Sequence, residues 1–435
     1  MNSEMLSRGE AFFNVLARIA NTKMLVALKD GFVLTMPATL IGSLFLLVAN
    51  IPIEGYQDFM VSLFGAGWDV GINKVVSSTF DIIAIISVLG ISYHYAKNEN
   101  VDGISNAITA LIAFLIVTSS SVTADGKEID AIIPKLWTGG QGVITAIIIS
   151  LLSSLIFCFF VKRKITIKMP SGVPEGVANA FIAVIPGVVI MLLSMLAFIF
   201  FRSLNTTLTE FIFNVLQTPM QMLTDTYIGA LIMVFLCALL FWMGLHGPNI
   251  VMGPILPVLT ANSLVNAELA AKGALSISAG AYIMTPQVLD YFVKTGGTGV
   301  TLGLLIAAIL RARSKQMKDI SRLALLPGLF NINEPVIFGL PIVYNFIMLI
   351  PFLCVPVITL TIIYFAIASG FLPPFTAVQV PWTMPPILSG FILQGGRGVM
   401  IQLLIIVVST VIYYPFMVMQ DRLYLAKEKA QPLAG

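Results

Sequence analysis

Charged side chains are scarce in this chain: Lys, Arg, Asp and Glu together make up 10% of its 435 residues, where a water-soluble domain carries about 25%. That shortage excludes the two or three soluble domains that length alone would suggest. Histidine is rarer still, at two residues, and cysteine stands at three. Cys158, Cys237 and Cys354 each lie in an apolar run ("LIFCFF", "VFLCALL", "PFLCVPV") with no CxxC spacing. They read as buried packing residues rather than disulfides, metal ligands or nucleophiles. HExxH, GxSxG and the kinase motif set are all missing, and nothing in the chain makes a phosphoryl donor. A net charge of +3, spread over loops, is too weak to point to nucleic acid. No metal or cofactor is implied.

What is present is apolar length. Hydrophobic residues make up 58% of the chain and the mean hydropathy is +0.96. Stretches of roughly 20 apolar residues recur, each long enough to cross the hydrocarbon core as a helix. The fold class is therefore an all-α polytopic membrane protein, with no room for a soluble catalytic domain between spans. Residues 1–23 carry Glu4, Arg8, Glu10 and Arg18 and lack the uninterrupted apolar core of a secretory signal; they read as an amphipathic helix at the membrane surface. Runs near 31–52, 75–96, 104–122, 139–161 and 178–201 predict five spans. The loop with Lys162, Arg163, Lys164 and Lys168 has no acid, whereas the preceding loop holds Asp125, Glu128 and Asp130. The positive-inside rule places the first in the cytoplasm, the second outside, and both chain termini in the cytoplasm.

The second half is less regular. A span at 226–245 is followed by "GLHGPNIVMGPILPVL", a moderately apolar stretch at 274–293, and "KTGGTGVTLGLLIAAILRARSK". Glycine, proline and isolated polar residues here break the pattern into pieces that read as too short to span. Such backbone occurs at membrane depth where it is buried in protein or lines a watered cavity. Long helices return near 342–372 and 398–418, and Arg311, Arg313, Lys315, Lys318 and Arg322 mark a cytoplasmic loop. About ten transmembrane helices plus one or two re-entrant hairpins are expected, divided into a scaffold at 1–201 and a site-bearing transport domain at 202–435.

Ionisable residues inside a membrane are functional candidates by default. His246 in "MGLHGPNI" and Glu334 in "NINEPVIFG" each stand beside Gly or Pro and beside asparagines: Asn249 for the first, Asn331 and Asn333 for the second. A carboxylate accepts hydrogen bonds from hydroxyls, while imidazole and amide donate or accept, so both clusters suit a hydroxyl-rich ligand. The bland readings are a histidine tethering a neighbouring helix and an acid that is neutral or paired to an arginine of 311–322. Trp242 precedes His246 by four residues, a helical spacing that would put the two on one face. Trp382 sits in the proline-rich "VQVPWTMPP". Either ring can stack on a sugar or anchor at the interface. "KTGGTGVTL" is neither a Walker loop nor a dinucleotide fingerprint; it predicts a tight turn whose N–H groups, with Thr298 and Thr301, meet a solute or a phosphoryl group. Glu175 reads as a helix-start acid and His94 as a surface residue. For Asp81, Asp290 and Arg397, site and interface placements stay open.

Four stretches carry a resemblance, in order: "KMPSGVPEGVANAFIAVIPG", "GLHGPNIV", "GGTGVTLGL" and "FNINEPVIFGLP". Over essentially its whole length the chain resembles the EIIC permeases of the bacterial phosphoenolpyruvate-dependent sugar phosphotransferase system (PTS), in the lactose/cellobiose/diacetylchitobiose branch. It is most similar to the diacetylchitobiose and cellobiose type, which comes as a separate C chain without a fused B domain and its phosphorylatable cysteine. The resemblance implies a homodimer in the bacterial cytoplasmic membrane, in contact with lipid, with N-terminal helices at the dimer contact. It implies import of a disaccharide coupled to phosphorylation at carbon six by a separate EIIB phosphocysteine, with EIIA and HPr upstream. The chain would be the membrane component of a sugar phosphotransferase. His246 and Glu334 would contact the sugar, and Glu334 would orient the accepting hydroxyl or take its proton. Gly247, Asn249, Asn333, Trp242, Thr298 and Trp382 join the substrate-binding set by extension from these motifs. Two other classes compete: an ion-coupled secondary transporter using Glu334 and Asp290, and a membrane-embedded enzyme using Glu334 and His246 as acid and base.

Overall fold

The computed structural model describes residues 22–49, 51, 55–124, 127–170, 172–340 and 342–430. The expected N-terminal surface helix and Asp125 lie outside them. Among the described residues, seven helical segments are long and apolar enough to cross a membrane: Lys23–Ala49, Val70–Asn98, Gly140–Lys162, Glu175–Ser203, Gly247–Ala271, Phe346–Ala368 and Leu388–Lys429. Leu208–Asp225 and Tyr227–Trp242 qualify only as a broken pair, and the apolar helices Gly103–Val117 and Leu302–Arg311 are shorter. The expected ten is reached only when the broken pair and both short helices are counted. One small departure from an all-helical chain is an antiparallel ribbon, Val122–Ala124 against Lys127–Ile129.

The chain forms two compact units that interleave along the sequence. The first comprises Met1–Gly42, Lys74–Met222 and Gly253–Leu264. Small residues and buried polar groups join its helices, as expected where lipid supplies no hydrophobic drive for helix association. Gly31 and Gly90 bring Lys23–Val33 against Ile83–Asn98; a Cβ on Gly31 would lie 2.3 Å from the Ile91 Cα. The Asn106 amide donates to the Ser92 carbonyl at 2.7 Å and to Ser154 Oγ at 2.8 Å, tying three helices. Glu99, half-buried, pairs with Lys23 at 2.7 Å and with Lys162. Asp102 caps Gly103–Val117 by accepting the Ser105 N–H, and Glu175 opens the 29-residue helix Glu175–Ser203, as its sequence position predicts.

The second unit comprises Ser43–Asn73, Leu223–Met252 and Val265–Gly435. Tyr227–Trp242 ends in a left-handed glycine: Gly244 has φ 86°, its N–H bonds the Phe241 carbonyl and the Leu245 N–H bonds the Leu240 carbonyl. This pair of bonds is a Schellman cap. His246 then caps the next helix, its Nδ1 accepting the Asn249 N–H at 3.3 Å. That helix, Gly247–Ala271, corrects the expectation of pieces too short to span: it runs 25 residues through Pro254 and Pro257. Each proline removes one backbone bond, a loss that membrane helices tolerate when neighbouring groups compensate. The expectation of short pieces holds at 274–293, which contains a short 3₁₀ turn, Ile277–Ala279, and a π-helical stretch, Val288–Val293. Leu388–Ala430 is two helices meeting at Gly395, where φ is 62° and ψ −152°. Cys158 and Cys237 are buried as expected, but Cys354 is exposed on Phe346–Ala368. The outward face of a membrane helix is as apolar as its core, so an apolar context does not imply burial.

Candidate functional site

Two asparagines assemble the irregular part of the second unit. Asn331, at φ 62°, accepts the Gly296 N–H on its Oδ1 at 2.8 Å. Its Nδ2 donates to the carbonyls of Trp382 at 2.8 Å and Met384 at 3.1 Å. Asn333, 4% exposed, donates to the Thr298 carbonyl at 2.7 Å and to Thr301 Oγ1 at 3.3 Å. A Cβ on Gly297 would sit 2.4 Å from the Asn333 Cγ, so glycine is required for this approach. The glycine-rich turn, the "NINEP" segment and the backbone at Trp382 are thereby locked together.

Glu334 follows directly. It opens the six-residue helix Glu334–Gly339, is exposed, and makes no ion pair or hydrogen bond among the described residues. The pairing to an arginine of 311–322 does not form. Further bonds hold the Trp382 segment: Gln287 donates to the Val378 carbonyl, Asn266 to that of Phe375, and Gln402 bridges Tyr291 and Ser389. Trp382 itself is 55% exposed.

His246 is exposed and its ring meets Phe241 edge-on at 5.2 Å. Phe241 stacks on Phe352 at 6.4 Å, and Phe352 presses on the turn at Gly299, where an added Cβ would lie 2.2 Å away. A continuous aromatic path thus runs from the "LHG" segment to the glycine-rich turn. Gly247 permits a similar approach, with its Cβ position 2.0 Å from the Cys237 carbonyl oxygen. Asn249 is exposed one turn into the helix.

Trp242 lies elsewhere. It is buried, its indole N–H donates to the Asn345 carbonyl at 3.0 Å, and its ring packs on Tyr344 and Phe346. The cap at Gly244 separates it from His246, so the two do not share one helix face. Asp81 pairs with Lys135 at 2.9 Å, Arg397 donates to the Phe371 carbonyl at 3.2 Å, and half-buried His94 meets the Tyr93 ring.

A small, largely apolar pocket lies against these elements. Cys237 and Ala238, Met252, Leu289 and Val293, Pro356, and Thr298 with Gly299 form its walls, together with Lys294. Lys294 pairs with Asp290 at 2.8 Å. Sequence reasoning passed over Lys294, although its four-residue spacing from Asp290 is the helical ion-pair signal.

A family model described as "Phosphotransferase system, EIIC" matches residues 29–356. The chain is 38% identical to the lichenan permease IIC component of Bacillus subtilis (strain 168), over 96% of this chain and 94% of that one. It is 37% identical to the cellobiose-specific EIIC component of the PTS of Geobacillus stearothermophilus, again over 96% and 94%. Its fold is similar to the crystal structure of the transporter ChbC, the IIC component from the N,N'-diacetylchitobiose-specific phosphotransferase system, with a TM-score of 0.90, 36% identity, and coverage of 96% of this chain and 98% of that one. With apolar helices, a polar constellation in broken backbone and these likenesses together, the chain belongs to the EIIC family of the phosphotransferase system, as a polytopic membrane permease component.

Proposed function

We propose that this permease imports a β-linked disaccharide, N,N'-diacetylchitobiose or cellobiose, across the bacterial cytoplasmic membrane and that the sugar is phosphorylated at carbon six during import. The carrying observation is the Asn333 clamp, which holds exposed, unpaired Glu334 beside the glycine-rich turn. The cellobiose and diacetylchitobiose specificities in the relatives' names support the substrate class. His246, Gly247, Asn249, Asn333, Thr298 and Trp382 belong to the sugar site in this reading. Trp242, buried among Tyr344 and Phe346, contributes by holding the end of its helix.

Glu334 accepts a hydrogen bond from the reacting hydroxyl and takes its proton as that oxygen attacks phosphorus. The donor is a phosphocysteine on a separate EIIB subunit, itself supplied through EIIA and HPr. The product carries roughly −1.5 to −2 charge, binds poorly where neutral hydroxyls were held, and cannot leak back. Both termini and the basic segments 162–168 and 311–322 face the cytoplasm, where EIIB docks. Asp421 supports that role by accepting the N–H groups of Arg313 and Ser314, which stiffens the second segment. Residues 1–201 act as scaffold and homodimer contact, and 202–435 as the transport domain.

The test is reconstitution in proteoliposomes with phosphorylated EIIB. Labelled disaccharide should appear inside only as sugar phosphate and only with the donor present. Uptake of unmodified sugar that needs no donor and collapses with an ion gradient would instead establish the ion-coupled mechanism.

A further inference from the structure

Among the described residues, Lys294 is the one charged side chain lining that small pocket. Its side chain is 24% exposed and its ammonium lies 2.8 Å from Asp290. Desolvating an ion pair is costly, and this one sits where a π-helical stretch, Val288–Val293, gives way to a turn. π-helical turns recur at functional sites.

The turn has unusual backbone. Gly296, Gly297, Gly299 and Val300 all have positive φ, at 75°, 93°, 87° and 55°. The N–H of Gly296 is committed to Asn331, that of Gly297 to the Lys294 carbonyl, and that of Val300 to the Gly297 carbonyl. The N–H groups of Thr298 and Gly299 have no hydrogen bond among the described residues. Both residues line the cavity with Lys294. Neighbouring backbone donors in such a turn, beside a cation, form a concavity suited to an anion.

We propose that Lys294 and the N–H groups of Thr298 and Gly299 receive the oxygens of the phosphoryl group during its transfer to the sugar. The inference rests on the function proposed above. In the step, the S–P bond of the EIIB phosphocysteine breaks and an O–P bond to the sugar hydroxyl forms. The thiolate leaves with the bonding electrons, and the hydroxyl proton passes to Glu334. Charge spreads over the phosphoryl oxygens at that moment, and fixed donors there lower the barrier. Before transfer Asp290 neutralises Lys294, so a neutral sugar meets no net charge from the pair. The Asn333–Thr298 bond couples this cradle to the residue before Glu334.

The experiment measures equilibrium disaccharide binding and the rate of sugar phosphorylation by phosphorylated EIIB in one proteoliposome preparation. The double variant Asp290→Asn/Lys294→Met removes the pair without stranding a charge. It should bind unphosphorylated sugar within about twofold of the wild type while phosphorylation falls about 100-fold, the typical effect of losing one such donor. Lys294→Gln, which keeps a polar head against Asp290, should show the same split, and Lys294→Arg should recover most of the rate. Unchanged phosphorylation in the double variant or in Lys294→Gln would overturn the proposal. Loss of sugar binding in step with rate would do so too, by placing Lys294 in the sugar contact or the fold. Failure of the underlying function is distinguishable: the wild-type chain would then form no sugar phosphate with the donor.

Discussion

Asn333 positions a residue it does not resemble. Its amide is almost wholly buried and satisfies the Thr298 carbonyl, so removing it leaves an unpaired buried acceptor, at a cost of about 1–3 kcal/mol. Asn333→Leu should lower the melting temperature by several degrees and weaken disaccharide binding, as read by thermal unfolding and labelled-sugar binding on the same sample. Full affinity in this variant would show that the clamp does not set Glu334. At this scale the sequence was partly legible. Glu334 and His246 stood out because an ionisable group in an apolar context needs a reason. Trp242 misled because four-residue spacing was read through a helix end, although the glycine two residues on, in "WMG", is the sequence sign of a C-terminal cap. Lys294 was hidden in a stretch whose helical spacing is real but whose π geometry periodicity does not announce.

Elements show where local chemistry and context compete. Gly247 and Gly253 lie in one helix six residues apart, yet a Cβ at the first would strike the Cys237 carbonyl at 2.0 Å and at the second would meet nothing within 4 Å. Gly247→Ala should cause a large loss of folded protein on purification. Gly253→Ala should be neutral or stabilising by about 0.5–1 kcal/mol, since alanine favours the helix. Size-exclusion yield and thermal unfolding of the two variants check this, and equal behaviour would refute the close approach. Four of the five runs of the first half coincide with helical segments long enough to span, because uninterrupted apolar runs leave no alternative to helix, while the run at 104–122 meets the shorter helix Gly103–Val117. Helix Gly247–Ala271 was not legible, because Pro254 and Pro257 normally break helices and only tertiary context decides whether they do. The stretch 274–293 was legible as broken: Ser276 caps the short turn Ile277–Ala279 and left-handed Gly280 ends it, before Pro286 opens the next helical piece.

For the molecule as a whole, every residue placed in the sugar site falls in the second compact unit, which is the arrangement a moving transport domain would need. The interleaving of the units was not legible, since a boundary set by contacts crosses helices such as Gly247–Ala271 that hydropathy reads as single objects. The central claim is that "LHGPN" and "NINEP" bind the sugar. The most direct measurement is equilibrium binding of labelled N,N'-diacetylchitobiose to the purified protein, with cellobiose and lactose as competitors, in the wild type, Glu334→Gln and His246→Ala. Losing a hydrogen bond to a charged group costs about 1.5–3 kcal/mol, so Glu334→Gln should weaken binding by about 10- to 100-fold, and His246→Ala by about 10-fold, in protein that remains folded. Wild-type affinity in both variants would contradict the account.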